Sequence, residues 1–164
     1  MRQGCVQGFA TYMTGELFAV LAQHSILGRL FSTGVATSEQ AQEAFVAGIN
    51  VARDGGPGAL SHQLFAVRTL GLTGRYPGSA LKDYLSGLLI GNELVSGLAR
   101  LHGAGQEQAL ILIGDGALCQ RYEEALAVLG AFPAAVLGNT APAGLFDFAR
   151  AAGLLYTRLE ESAS

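Results

Sequence analysis

Two short apolar runs near the end of the chain, each followed by a glycine turn and a helical pattern, constrain the fold more than any other feature. Ala109-Leu110-Ile111-Leu112-Ile113 is continuous and apolar, too short for a helix, and suits a fully buried strand. Gly114-Asp115-Gly116 then turns into a helical stretch over about 118–129. The strand pattern recurs at Ala135-Val136-Leu137, the turn at Gly138-Asn139-Thr140, and a last helix is expected over about 144–152. Strand, turn, helix, strand, turn, helix is a parallel α/β pattern, because the crossover helix returns the chain in its original direction. The strands over 110–113 and 135–137 are therefore expected to be parallel neighbours.

Upstream the period is helical. Leu17, Phe18, Leu21 and Ala22 form one stripe, with Thr14 placed to cap the helix and Glu16 near its positive end. Thr37-Ser38-Glu39-Gln40 has the form of a capping box, and Ala41, Ala44, Phe45, Gly48 and Val51 follow at helical spacing. This helix stops before the loop Asp54-Gly55-Gly56-Pro57-Gly58. A third helix is expected over 60–70, carrying Leu64, Phe65 and Val67. A fourth, capped by Ser79, runs over about 80–101. Leu81, Leu85, Leu88, Leu89 and Leu94 make the fourth apolar on several sides, so it is a buried helix. Residues 3–11 read as a hairpin remnant or edge strands, and the tail from Glu160 as frayed. Nothing divides the chain, and residues 1–164 are expected to form one helix-rich α/β unit with a small sheet.

Composition narrows the function classes. The 164 residues carry a net charge of −3, Lys82 is the sole lysine, and the arginines are scattered. No face can neutralise a run of phosphates, which excludes a nucleic-acid footprint. The richest apolar stretch, 85–98, is broken by Asn92, Glu93 and several glycines, whereas a spanning helix needs ~20 apolar residues in a row. Thr14 and Glu16 interrupt any signal-peptide core. Cys5 and Cys119 lack zinc spacing and read as buried thiols of a cytosolic protein. A soluble, cytoplasmic protein is expected. Only 14% of residues are charged and 50% are apolar, so the surface is expected to meet a partner.

Gly114-Asp115-Gly116 is the best local candidate for a binding site. Loops at the carboxyl ends of parallel strands bind ligands, glycines admit close approach, and a helix N-terminus offers free amides. The same residues also suit an ordinary tight turn, and Asp115 would repel a phosphate. It is better placed to cap the helix or meet a ribose hydroxyl. His24, His62 and His102 have no ligand spacing, so no metal site is expected. Glu93 sits in an apolar helix and requires a polar partner, with Arg68 available either for that role or as an anion clamp. Ser25 and Ser61 each adjoin a histidine, but adjacency is not a catalytic dyad.

Several longer strings go further. Thr11-Tyr12-Met13-Thr14-Gly15-Glu16-Leu17-Phe18 is followed by His24-Ser25-Ile26-Leu27-Gly28, by Leu64-Phe65-Ala66-Val67-Arg68, by Leu85-Ser86-Gly87-Leu88-Leu89-Ile90-Gly91-Asn92-Glu93, and by Arg121-Tyr122. In that order the chain resembles the 2-dehydro-3-deoxygalactonokinase family over nearly its whole length. The resemblance implies an actin/hexokinase-like (ribonuclease H-like) sugar kinase of two lobes. ATP and Mg²⁺ would serve as cofactors, and 2-dehydro-3-deoxy-D-galactonate would be phosphorylated at its terminal hydroxyl to the 6-phosphate. It further implies that this chain is the C-terminal lobe, with no counterpart to the N-terminal lobe's Asp-x-Gly-Ser/Thr phosphate loop or to a Gly-Thr-His-x-Lys-Trp strand.

Ile113-Gly114-Asp115-Gly116-Ala117 then takes the place of the family's adenosine-binding turn, making Gly114, Asp115 and Gly116 nucleotide-binding candidates, although Asp115 departs from the usual small residue. Gly138-Asn139-Thr140-Ala141 matches a closing turn with Asn139 in place of an acid, and the hinge spacing after it is shortened to Ala141-Pro142-Ala143-Gly144. Thr14, Gly15 and Glu16 match a block near the interlobe cleft. No residue present takes the place of the general base. The leading expectation is an ATP-dependent sugar-acid kinase, represented by its nucleotide-side half, inactive and self-associating when alone. Two alternatives are a non-catalytic module that binds nucleotide or acts by association, and a purely structural α/β domain.

Overall fold

The computed structural model describes residues 8–32, 34–55, 58–103 and 109–154. Among these residues, six α-helices and two strands follow in the order α1 (Thr14–His24), α2 (Ser38–Asp54), α3 (Leu60–Leu72), α4 (Leu81–Gly103), β1 (Ile111–Ile113), α5 (Gly116–Val128), β2 (Ala135–Leu137) and α6 (Ala141–Ala151). A short 3-10 turn, Gly28–Leu30, lies between α1 and α2. The expected helix-rich α/β chain with a small parallel sheet is what forms.

Local sequence accounts for several boundaries. At α2 the Thr37 side-chain oxygen accepts from the Gln40 amide and the Gln40 side chain accepts from the Thr37 amide, both at 3.2 Å. This reciprocal pair satisfies two otherwise orphaned donors. β1 and β2 are parallel, pairing Ile111 with Ala135, Leu112 with Val136 and Ile113 with Leu137.

The core is built around α4, with α2 packed most extensively against it. Phe45, Ile49, Val67, Leu81, Leu85 and Leu88 are fully buried at its centre. Glycines set the spacing between α2 and α4. A Cβ on Gly87 would collide with the Phe45 carbonyl, and one on Gly48 with the Tyr84 carbonyl. A Cβ on Gly91 would lie 2.8 Å from that of Ala52. The two backbones therefore approach where no larger residue fits. Asn92 does not disrupt this core. It donates to the side-chain oxygen of buried Gln63 (3.2 Å) and to the Leu88 carbonyl (2.9 Å), while Gln63 donates to the Val51 carbonyl (2.7 Å). The chain ties α2, α3 and α4 together with its buried polar groups satisfied.

Four expectations change. Thr14 does not cap α1: Met13 takes the N-cap position without a side-chain bond, and the Thr14 hydroxyl is drawn to Glu93. The fourth helix begins one residue later than expected, at Leu81, with the Ala80 carbonyl accepting from the Tyr84 amide and also from that of Asp83, which the Ser79 carbonyl would take in a helix begun at Ala80. Residues 8–13 are irregular rather than stranded, and residues 3–7 of the expected hairpin lie outside the described residues, as does the tail from Glu160. The strand over 110–113 is not fully buried. Ile111 and Ile113 remain 50% and 58% exposed, because α5 covers only the opposite face of β1 and β2 is its one strand neighbour among the described residues. No described helix is long and apolar enough to cross a membrane.

Candidate functional site

Helices α1, α4 and α5 line a half-open cavity of about 340 Å³. Its walls are Thr14, Gly15 and Phe18 from α1, Lys82, Asp83, Ser86, Leu89 and Ile90 from α4, and Leu118, Arg121 and Tyr122 from α5. The helical period explains the α4 contribution, since residues at three- and four-residue spacing share a face. An apolar floor with a few convergent polar groups, at the small end of ligand-site volumes, is the usual form of a small-molecule site.

Arg121 is anchored beneath the rim. Its two terminal nitrogens both donate to one Asp83 oxygen, at 2.5 and 3.2 Å, and its guanidinium lies 4.7 Å from the centre of the buried Phe45 ring. The Nε of Arg121 is buried without a hydrogen-bond partner. Burial raises the Asp83 carboxyl above its ordinary pKa, and the opposing pull of Arg121 does not cancel that effect. Lys82 stands exposed at the rim.

A second polar cluster ties the same three helices together. One oxygen of Glu93 accepts from the Thr14 hydroxyl and from the Tyr122 hydroxyl, the latter at 2.7 Å. Burial, and after it the Glu93 hydrogen bond and charge, push the Tyr122 phenol well above the usual tyrosine range. The phenol therefore remains a donor throughout the physiological pH range.

Of the residues singled out from sequence, Thr14 and Gly15 line the cavity, while Glu16 is exposed and outside its lining. Gly114, Asp115 and Gly116 form the turn at the carboxyl end of β1 and lead into α5, whose Leu118 joins that turn to the cavity wall. The Asp115 side chain accepts from the amides of Ala117 (3.0 Å) and Leu118 (3.2 Å), so it is the N-cap of α5. Those amides are thereby occupied, which removes the simplest phosphate seat at this helix end. Asn139 acts similarly at α6, accepting from the Ala141 amide at 3.0 Å. Gly116 faces open space.

The partners of Glu93 are Thr14 and Tyr122, and Arg68 is not among them. Ser25 donates to the Leu21 carbonyl instead of engaging His24. Cys119 is buried with its thiol free, and no three His, Cys, Asp or Glu side chains gather to hold a metal among the described residues.

Residues 1–148 match the model of the 2-keto-3-deoxy-galactonokinase family. The chain belongs to the 2-keto-3-deoxy-galactonokinase family. It is 37% identical over 147 residues to the 2-dehydro-3-deoxygalactonokinase of Escherichia coli K12, covering 89% of this chain and 47% of that protein. Identity is 35% to a candidate 2-dehydro-3-deoxygalactonokinase of Rhizobium meliloti, DgoK1, covering 89% and 46%. A solved structure of a candidate 2-dehydro-3-deoxygalactonokinase from Sinorhizobium meliloti superposes with a TM-score of 0.69 at 32% identity, covering 90% of this chain and 48% of the other. The chain thus spans about half the length of the curated relatives it matches.

Three of the strings that carried the resemblance to the 2-keto-3-deoxy-galactonokinase family meet at the cavity: the start of α1, the middle of α4, and Arg121-Tyr122 on α5. Lys82 and Asp83 were not expected there. Lys82 stood out only as the sole lysine, and the Asp83–Arg121 pair joins residues too far apart in the chain for any local pattern to show.

Proposed function

We propose that this chain is the nucleotide-side lobe of an ATP-dependent kinase, with an actin/hexokinase-like architecture completed by the remainder of the family's protein. The full enzyme transfers the terminal phosphoryl group of ATP to 2-dehydro-3-deoxy-D-galactonate, forming the 6-phosphate, in the cytoplasm. The family match over residues 1–148 carries this reading, and the meeting of three family strings at one cavity supports it. The Gly114-Asp115-Gly116 turn receives the nucleoside, because Gly116 leaves open space and Asp115 can turn a carboxylate oxygen toward a ribose hydroxyl. With the α5 amides capped, the triphosphate is held by the opposite wall. Mg²⁺ travels with the phosphates of ATP, neutralising their charge, and we assign it no ligand in this chain. On this reading the cavity lined by Thr14 and Gly15 opens toward the interlobe cleft, with Glu16 exposed and outside its lining. The general base belongs to the other lobe.

Calorimetry with ATP and Mg²⁺, on this chain joined to the other half of a family member, tests the nucleotide assignment. Gly116→Val adds a branched side chain where nothing lies within 4 Å, so the fold is expected to be unchanged while ATP binding weakens roughly tenfold or more. Equal affinity of the two proteins would give the turn a structural role only.

An association reading stands beside it, favoured by exposed apolar surface. Ile111, Ile113, Leu137, Phe146 and Phe148 are all exposed in the last α/β unit, where the opposite lobe would find apolar area to cover. Sedimentation velocity over a concentration series is expected to show self-association of the isolated chain, and Ile113→Lys to reduce it, since a lysine on a strand discourages further pairing. A wild-type monomer at every concentration would refute this.

A further inference from the structure

Glu93 occupies an unusual place. It is a half-buried carboxylate on α4 that receives hydrogen bonds from two different helices, at Thr14 of α1 and Tyr122 of α5. Both donors are themselves part of the cavity wall, whereas Glu93 is not. Helix α1 buries no residue completely. It rests on the core through Leu17, Phe18 and Leu21, which are only partly buried, with an exposed Tyr12–Ser96 hydroxyl contact (3.2 Å) just before its start. Helix α5, by contrast, is fixed by fully buried Ala125 and Leu126. The wall formed by α1 is therefore the one with least packing to hold it, and the bond from Thr14 to an anionic acceptor is its strongest single polar tie. Charge-assisted bonds of this kind are roughly twice as strong as neutral ones.

We propose that Glu93 is a positioning residue: by drawing Thr14 and Tyr122 onto one carboxylate oxygen it latches α1 against α4 and α5 and so sets the width of the cavity. Its consequence for ligand binding rests on the nucleotide-side reading above, but the latch itself does not. A ligand entering the cavity meets Thr14 and Tyr122 already oriented, with their hydroxyl protons directed away from it toward Glu93. The tied hydroxyls can then offer the ligand only their acceptor lone pairs. The packing of α2, α3 and α4 is independent of this contact, so loss of the latch loosens one wall and leaves the core intact.

The experiment is residue-resolved amide hydrogen exchange on the 164-residue chain without ligand, comparing wild type with Thr14→Val, Thr14→Ser and Tyr122→Phe. Thr14→Val keeps the shape and deletes the donor, so the amides of Leu17 to Leu21 are expected to exchange about tenfold faster, the scale of one lost bond to a charged group. Thr14→Ser restores the hydroxyl and is expected to restore slow exchange. Amides of Phe45, Ile49 and Leu88 serve as the internal control and are expected to stay unchanged in all variants. In Glu93→Gln, selective carbon-13 labelling of the tyrosines is expected to show the Tyr122 phenol titrating at lower pH than in wild type, because its charged acceptor is gone. Unchanged α1 exchange in Thr14→Val, or equal acceleration in Thr14→Ser, would overturn the latch. ATP calorimetry on wild type and Gly116→Val, each joined to the other half of a family member that would hold the triphosphate, separates the two ideas: faster α1 exchange in Thr14→Val with equal ATP affinity of the two joined proteins retains the latch and removes the nucleotide reading. Weaker ATP binding by Gly116→Val together with unchanged α1 exchange in Thr14→Val does the reverse.

Discussion

Gly87→Ala is expected to destabilise the chain by about 3 kcal/mol, the upper part of the range for overpacking a close-packed contact. The direction is opposite to the ordinary effect of this substitution, since replacing glycine by alanine inside a helix normally gains about 0.5–1 kcal/mol. Here the added methyl meets the backbone carbonyl of Phe45, which cannot move without shifting α2 along the whole contact. Gly97→Ala on the same helix provides the comparison. The nearest atom to a Cβ there is the Tyr12 hydroxyl oxygen at 4.0 Å, so the usual gain is expected. Urea denaturation of the two variants reads the difference as movements of the midpoint in opposite directions with unchanged slope. Equal midpoints would mean that α2 and α4 separate freely and that the glycines do not set their spacing.

The second large effect concerns turnover. A coupled ADP-release assay with 2-dehydro-3-deoxy-D-galactonate, ATP and Mg²⁺ is expected to detect no activity from this chain alone. Phosphoryl transfer depends on positioning and on neutralising charge from both sides of the phosphates, and loss of even one such donor costs ~10²–10³ in rate. Supplying the other half of a family member, fused or in trans, is expected to restore turnover. Robust activity from the 164 residues alone would place the reacting groups here, with Glu16 and Asp115 as the first residues to replace.

The parts of this architecture visible in the sequence are those with local causes. The capping box at Thr37 and Gln40 sits within four residues and forms as its pattern implies. The strand–turn–helix alternation needs no distant information to imply parallel pairing, and β1 and β2 pair that way. Asp115 caps its helix because its side chain reaches amides two and three residues on. What the sequence conceals is long-range competition. Thr14 has the chemistry of a cap, but a carboxylate 79 positions away takes its hydroxyl. Asn92 looks like a flaw in an apolar helix until Gln63 on α3 is placed beside it. The cavity was half legible: Thr14, Gly15 and Ser86 lie in strings that carry the family resemblance, whereas Lys82 and Asp83 reach it only through the rotation of α4 against α1 and α5.

The strand pair bears on how such a chain behaves while it folds. β1 is hydrogen-bonded to β2 on one side, and among the described residues no strand takes its other edge. The segment Ala109-Leu110-Ile111-Leu112-Ile113 contains no charge, proline or glycine, so it lacks the gatekeeping residues that natural edge strands use against unwanted pairing. An edge of this kind is a template. It accepts the correct strand readily, and it accepts another copy of itself by the same main-chain bonds, the first step toward cross-β stacking. Early capture of that edge during synthesis is therefore expected to favour native protein over pairing between copies.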